Sequence, residues 1–259
     1  MAEISSISRI GRTEPFELQV SRGQIAWHRS VTVFGYNPDV DTTPETVWPG
    51  DGILPYPSSP IQMKVSSEST DDTSAGTGAR TVYIGGLDAN HNEISEVVTM
   101  NGQTAVLTTK SYLHINQAYV MTAGSGNGAA GNIYIGDGTV TAGVPATVYD
   151  LIAFDYNTRI TGSFTIPAGY TGYLAQGLFS SGQAGGSNQI TGRLMTRGTN
   201  NIRLTSAVTT LNNGTADYTF EYNPVIPEMT TVEAQAFGSS ANNACSSMFI
   251  LVLIKNDGA

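Results

Sequence analysis

The segment Thr158–Ser180 limits the possible folds more than any other stretch of the chain. Ile160, Gly162, Phe164 and Ile166 alternate with Arg159, Thr161, Ser163 and Thr165. A period of two makes a strand with one apolar and one polar face. Pro167 then removes a ladder donor, and Gly169 and Gly172 supply turn geometry before a second β-prone run, Tyr173–Ser180. This pattern predicts a β-hairpin with one buried face. A half-buried hairpin is not stable alone in water, so the rest of the chain has to cover it.

The remaining sequence repeats the same grammar. Turn signals recur at Leu87–Asn92, Asn101-Gly102, Gly136–Gly138, Gly182–Ser187, Gly198–Asn200 and Asn212–Gly214. Short strand-like runs lie between them, among them Glu93–Met100, Tyr112–Met121, Thr147–Phe154, Gln189–Thr196 and Thr230–Phe237. Met248–Ile254 is continuously apolar, which fits a strand covered on both faces. No run supports a helix of ordinary length. The expected class is all-β, an antiparallel, jelly-roll-like β-sandwich. Residues 59–145 and 146–259 form either one large sandwich or two stacked modules.

Residues 1–58 read differently. They hold both tryptophans and six of the eleven prolines (Pro15, Pro38, Pro44, Pro49, Pro55 and Pro57). Phe16–Val20 and Ser30–Phe34 are short β-prone runs, and Gly35–Ser59 is proline, aspartate and glycine punctuation. Such text cannot build its own core, yet its aromatic groups are costly to leave in water. An extended N-terminal arm is expected, docked on its own body or on a neighbouring subunit. Trp27, Phe34, Tyr36, Trp48 and Tyr56 are its candidate interface residues.

Composition sets outer limits. The 259 residues carry a net charge of −9, with 13% charged side chains and 29 glycines. An acidic chain without clustered Lys and Arg is a poor partner for nucleic acid. The single cysteine, Cys245, excludes an intrachain disulfide. The longest apolar run is too short for a membrane-spanning helix, and the first ten residues lack a signal-peptide core. A membrane partner is therefore not expected, and synthesis in a cytoplasm is.

Candidate chemistry is sparse. Asp39-x-Asp41 and Asp71-Asp72 resemble calcium-ligating spacing but match no EF-hand, and solvated turn aspartates explain them better. His28, His91 and His114 lack partners at metal-ligand spacing. Glu93 and Glu96 fall on opposite faces of one strand. Gly124–Gly128 lacks the lysine and following helix of a phosphate loop. Tyr170 and Tyr173 suit either a sugar platform or the rim of a sandwich. No catalytic, metal or cofactor residues are assigned, and the chain is not expected to be an enzyme.

Three ordered segments carry a resemblance. They are Gly35-x-Asn37-Pro38-Asp39-Val40-Asp41-Thr42 followed by Trp48, the run from Val65-Ser66-Ser67 through Asp72-Thr73, Ala75–Val82 and Gly86-Leu87-Asp88 to Asn101–Val106, and Ile166–Leu174. Together they resemble a family of tailed-phage virion structural proteins, often of marine phages, over most of residues 34–175. The resemblance implies a β-sandwich virion component without catalytic residues. A capsid decoration (cement) protein is the first expectation, and a tail, collar or fibre-base component with glycan affinity is the second. The implied partners are a major capsid protein and copies of the chain itself, as a trimer or dimer.

Overall fold

The computed structural model describes residues 8–9, 12–182 and 189–258. The loop expected at Gly182–Ser187 therefore lies, beyond Gly182, outside the described residues. In chain order the first strands are β1 (Ser8–Arg9), β2 (Arg12–Thr13), β3 (His28–Val40), β4 (Glu45–Thr46) and β5 (Ile61–Ser67). Next come β6 (Ala79–Leu87), β7 (Glu93–Thr99), β8 (Val106–Tyr112), β9 (His114–Ala123), β10 (Ile133–Thr141) and β11 (Val144–Ile152). They are followed by β12 (Ser163–Thr165), β13 (Tyr170–Gly182), β14 (Ile190–Arg197) and β15 (Arg203–Leu211). The last are β16 (Gly214–Thr219), β17 (Val225–Ile226), β18 (Thr231–Gly238) and β19 (Asn243–Lys255).

β1 and β2 pair with each other as a separate two-stranded ribbon, and the other strands make two antiparallel sandwiches. In the first, the sheet β11-β10-β5-β8 faces the sheet β7-β6-β9. Met63, Val65, Val82, Ile84, Ile133 and Ile135 fill the space between them. In the second, β12-β18-β14-β15 faces β16-β13-β19-β3, with β4 added to β18 and β17 added to β13. Its core holds Phe164, Leu174, Phe179, Leu194, Phe249 and Leu251. The first sandwich is inserted into the second, because β3 and β4 precede it while β12 to β19 follow. The expected boundary at residues 145/146 falls inside β11.

The expected arm over residues 1–58 is corrected in its second half. β3 pairs with β19 along most of its length, from His28↔Ile254 to Val40↔Asn243. Val33, Val40 and Val47 are core residues of the second sandwich. Alternation in β3 (Val31, Val33) was masked by Gly35 and Pro38, but Pro38 is exposed and an interruption there is tolerated at an edge. The run Phe16–Val20, expected as strand, is the short helix α1 (Phe16–Ser21). Pro15 enters it at φ −54°, and Glu17, Leu18 and Gln19 are good helix formers.

The expected hairpin at Thr158–Ser180 is corrected too. β12 pairs with β18 and β13 with β19, so the turn between them passes the chain from one sheet to the other. Gly169 makes that turn at φ +76°. The polar residues of the alternation do not face water. Thr161, Ser163 and Thr165 are as buried as Ile160 and Ile166, because this segment runs along the junction of the two sandwiches. Asn116 of β9 closes it from the other side, donating through Nδ2 to the Thr165 carbonyl (2.8 Å) and accepting the Thr165 N–H (2.9 Å). Asn101-Gly102 likewise links two sheets rather than one hairpin, since β7 pairs with β6 and β8 with β5.

Candidate interaction surface

Two of the apolar sheet faces outside the cores are treated in opposite ways. Ile133 and Ile152 point into the first core, so their neighbours Tyr134 and Leu151 point outward from the sheet β11-β10-β5-β8. Trp48 and Leu54 pack on that outer patch with Leu151 and Ala153, and Tyr56, Tyr134 and Val148 border it. Trp48 is 2% exposed, and its Nε1 donates to the Gly52 carbonyl at 3.0 Å. Two of the candidate interface residues, Trp48 and Tyr56, thus join one sandwich to the other within a single chain.

The second face belongs to β16-β13-β19-β3. Along β19, Cys245, Ser247, Phe249, Leu251 and Leu253 are buried, while Ser246, Met248, Ile250, Val252 and Ile254 on the opposite side are only half-buried. Cross-strand pairing sets Met248 between Leu178 of β13 and Phe34 of β3. It also sets Val252 between Tyr173 and Ser30. Phe34 is 56% exposed. The result is a broad surface of Phe34, Met248, Ile250, Val252, Leu178 and Tyr173, with Asp217 of β16 opposite Leu178 at its edge. A strand apolar on both faces is expected where both faces are covered. Here the described residues leave one face open.

Beside this face lies a cleft of about 550 Å³ between the sandwiches. β3 lines one wall with Val31–Phe34, and Tyr83, Ser95 and Gln117 of the first sandwich line the other. Tyr83 stacks on Tyr119 with centroids 4.8 Å apart, next to exposed Val97 and Met121. Arg29 bridges the walls, its Nη2 2.7 Å from Glu93 Oε1 and its guanidinium 4.6 Å from the Tyr170 ring. The remaining candidates split. Tyr36 is half-buried, 6.1 Å from the Tyr156 ring. Trp27 is 54% exposed beside α1, with Lys255 Nζ 5.4 Å from its ring.

A buried polar network fixes the junction. Glu233 accepts hydrogen bonds from Thr46 Oγ1 (2.7 Å), Gln235 Nε2 (2.7 Å) and the Tyr56 hydroxyl (3.2 Å). Arg193 donates to Gln235 Oε1 at 2.8 and 3.1 Å, relaying positive charge toward that carboxylate. Burial and the Glu233 charge raise the Tyr56 hydroxyl well above its ordinary range, so it stays a donor. Arg159 pairs with buried Asp150 and donates to the carbonyls of Thr161 and Ser163.

Of the carboxylates singled out by spacing, Asp39, Asp41 and Asp71 are exposed, as solvated turn residues are, while Asp72 and Glu96 are structural. Asp72 is buried and accepts from Ser67 Oγ (2.6 Å) and from the N–H groups of Ala79 (2.6 Å) and Ala130 (2.9 Å). Glu96 ties β7 to β8 through Thr109, Lys110 and Tyr112, which hold its carboxyl below the usual range. Among the described residues no group of three or more His, Cys, Asp or Glu gathers as a metal site. None of the described helices is long and apolar enough to cross a membrane.

No family model matches the chain, and no curated protein sequence matches it. Among solved structures it is similar to VP2 of the infectious bursal disease virus subviral particle, at 9% identity over 90% of this chain and 73% of that one, with a TM-score of 0.26. It is also similar to T=1 particles derived from infectious bursal virus, at 12% identity over 88% and 70% of the two chains, TM-score 0.26. The naturally empty top component of cowpea mosaic virus gives 11% identity over 73% and 80%, TM-score 0.22. These neighbours are components of viral particles, but superpositions at such scores carry no weight for this chain.

Proposed function

We propose that this protein is a non-enzymatic structural component of a virus particle, most specifically a capsid decoration subunit of a tailed phage. The observation that carries this reading is the open apolar face of β16-β13-β19-β3, and the resemblance of residues 34–175 to phage virion proteins supports it. A largely apolar sheet face suits a flat protein neighbour, because covering it gains about 25 cal/mol per Å², and the one carboxylate at its β16 edge, Asp217, is held by Gln176. The neighbours are a major capsid protein and further copies of this chain, arranged as a trimer or dimer. The protein is made in the host cytoplasm and resides in the virion.

Stabilisation follows from mass action. A protein that binds only the assembled shell shifts the equilibrium toward that shell. Several copies tied together add through effective concentration. The test is a double variant, Phe34→Asp with Ile250→Asp, followed by co-sedimentation with assembled shells. The expected result is a folded protein that no longer sediments with particles. Wild-type retention of the double variant would defeat the proposal.

A further inference from the structure

A second cleft at the junction, about 440 Å³, is lined by Tyr56, Ser58, His91, His114, Arg197 and Asn201, among others. Five separated segments build it: the linker after Leu54, the β6–β7 turn, the start of β9, the β14–β15 turn and the β17–β18 turn. Three independent features mark it as more than a packing gap.

The first is Arg197. Its guanidinium lies 3.9 Å from the centroid of the Tyr56 ring, and no carboxylate among the described residues forms an ion pair with it. Stacking on Tyr56 holds the fork flat without using its N–H donors. The second is His114, only 8% exposed, whose Nδ1 has no hydrogen-bond partner. The rings of Tyr56 and His91 each stand 5.3 Å from it. Burial, with His91 and Arg197 nearby, holds the imidazole down to about 3, so it is neutral at pH 7. The third is the backbone. His91, Asn201 and Met229, all lining the cleft, sit at φ +59°, +59° and +57°. Asn and His enter this region readily, so of the three only Met229 carries a cost, of about 1–2 kcal/mol.

The chemistry of the lining selects a ligand class. One fixed guanidinium fork matches a carboxylate in bidentate geometry. The side chains of Ser58, Thr199 and Asn201 can exchange hydrogen bonds with sugar hydroxyls, and the volume falls in the range of small-ligand sites. Asp88 beside His91 and Glu233 behind Tyr56 disfavour a diffuse anion, so the ligand's charge has to sit on Arg197 itself. We infer that this cleft binds an acidic saccharide, its carboxylate on Arg197 and its ring hydroxyls on the β14–β15 turn. The inference is independent of the assembly face and stands or falls without it.

Isothermal titration of the full chain with glucuronate, N-acetylneuraminate, glucose, acetate and inorganic phosphate tests it. The expected result is measurable binding of both acidic sugars, none of glucose, and weaker binding of acetate and phosphate. Arg197→Gln is expected to weaken the acidic sugars at least about tenfold, with Arg197→Lys recovering only part. Thr199→Tyr, at an exposed position on the rim, blocks the cleft without removing a buried contact and is expected to abolish binding. Unchanged affinity in a folded Arg197→Gln or Thr199→Tyr variant would overturn the inference. So would phosphate or acetate binding as tightly as the sugars, or no heat from either acidic sugar.

Discussion

The outer faces of β11-β10-β5-β8 and β16-β13-β19-β3 pose the same physical problem and receive opposite answers. The first carries Tyr134, Val148 and Leu151, and the chain covers them with its own Trp48 and Leu54. The second carries Phe34, Met248, Ile250 and Val252, and these stay partly exposed. One apolar patch has become internal glue between sandwiches, and the other stays partly exposed among the described residues. Two aromatic residues from the same N-terminal stretch, Trp48 and Phe34, therefore do different work. Exposure decides which, since aromatic content alone is equal.

The sharpest way to break this contrast is to delete residues 1–58. If they are structural, deletion removes β3 and β4 with core residues Val33, Val40 and Val47, and the protein does not fold. A soluble, cooperatively melting deletion product, seen by circular dichroism, would mean the segment is only an arm. Next in size is Trp48→Ala, which empties the covered patch and is expected to cost about 3–5 kcal/mol in urea unfolding.

Acid gives an intermediate effect at the same junction. The His114 imidazole is held down to about 3 against an ordinary 6.5, so the unfolded chain takes up a proton there that the folded chain refuses. Stability is complete above pH 6.5 and falls as pH drops toward 3. The expected loss from His114 is about 1.4 kcal/mol per unit below 6.5, or roughly 2–3 kcal/mol by pH 4.5. His114→Gln flattens this part of the curve. Asp88 and Glu96, whose carboxyls are held below their usual range, contribute only at lower pH. Urea melts at pH 7 and 4.5 separate the two. Smallest is Phe34→Ala, expected to change monomer stability by less than about 1 kcal/mol, because that ring is more than half exposed. A loss as large as that of Trp48→Ala would show the two faces to be alike.

Much of the fold was readable from residues, and the failures share a cause. Period-two runs and turn punctuation located most strands, including β7, β9, β14, β18 and β19. What local pattern could not supply was which strands pair. Asn101-Gly102 and Pro167–Gly169 are good turn sequences, yet in a sandwich a tight turn also serves to cross between sheets. The alternation at Thr161, Ser163 and Thr165 signalled a solvent face, but those hydroxyls meet Asp150, Tyr56 and Thr231 across a buried junction. Of the candidate surface, Phe34 is legible as a lone aromatic in a β-prone run, and the continuous apolar run Met248–Ile254 holds the rest of the signal. It meant a strand apolar on both sides, with one side buried in the core and the other only half-buried. The approach of His91, His114, Tyr56 and Arg197 left no trace in spacing, because four distant segments bring them together.

Carbene footprinting of the chain, free in solution and within assembled particles, probes the open face residue by residue. Phe34, Met248, Ile250 and Val252 are expected to label in the free protein and to become protected in the particle, with Trp48 dark in both. Equal labelling of those four side chains in the two states would contradict a role for this face in holding subunits together.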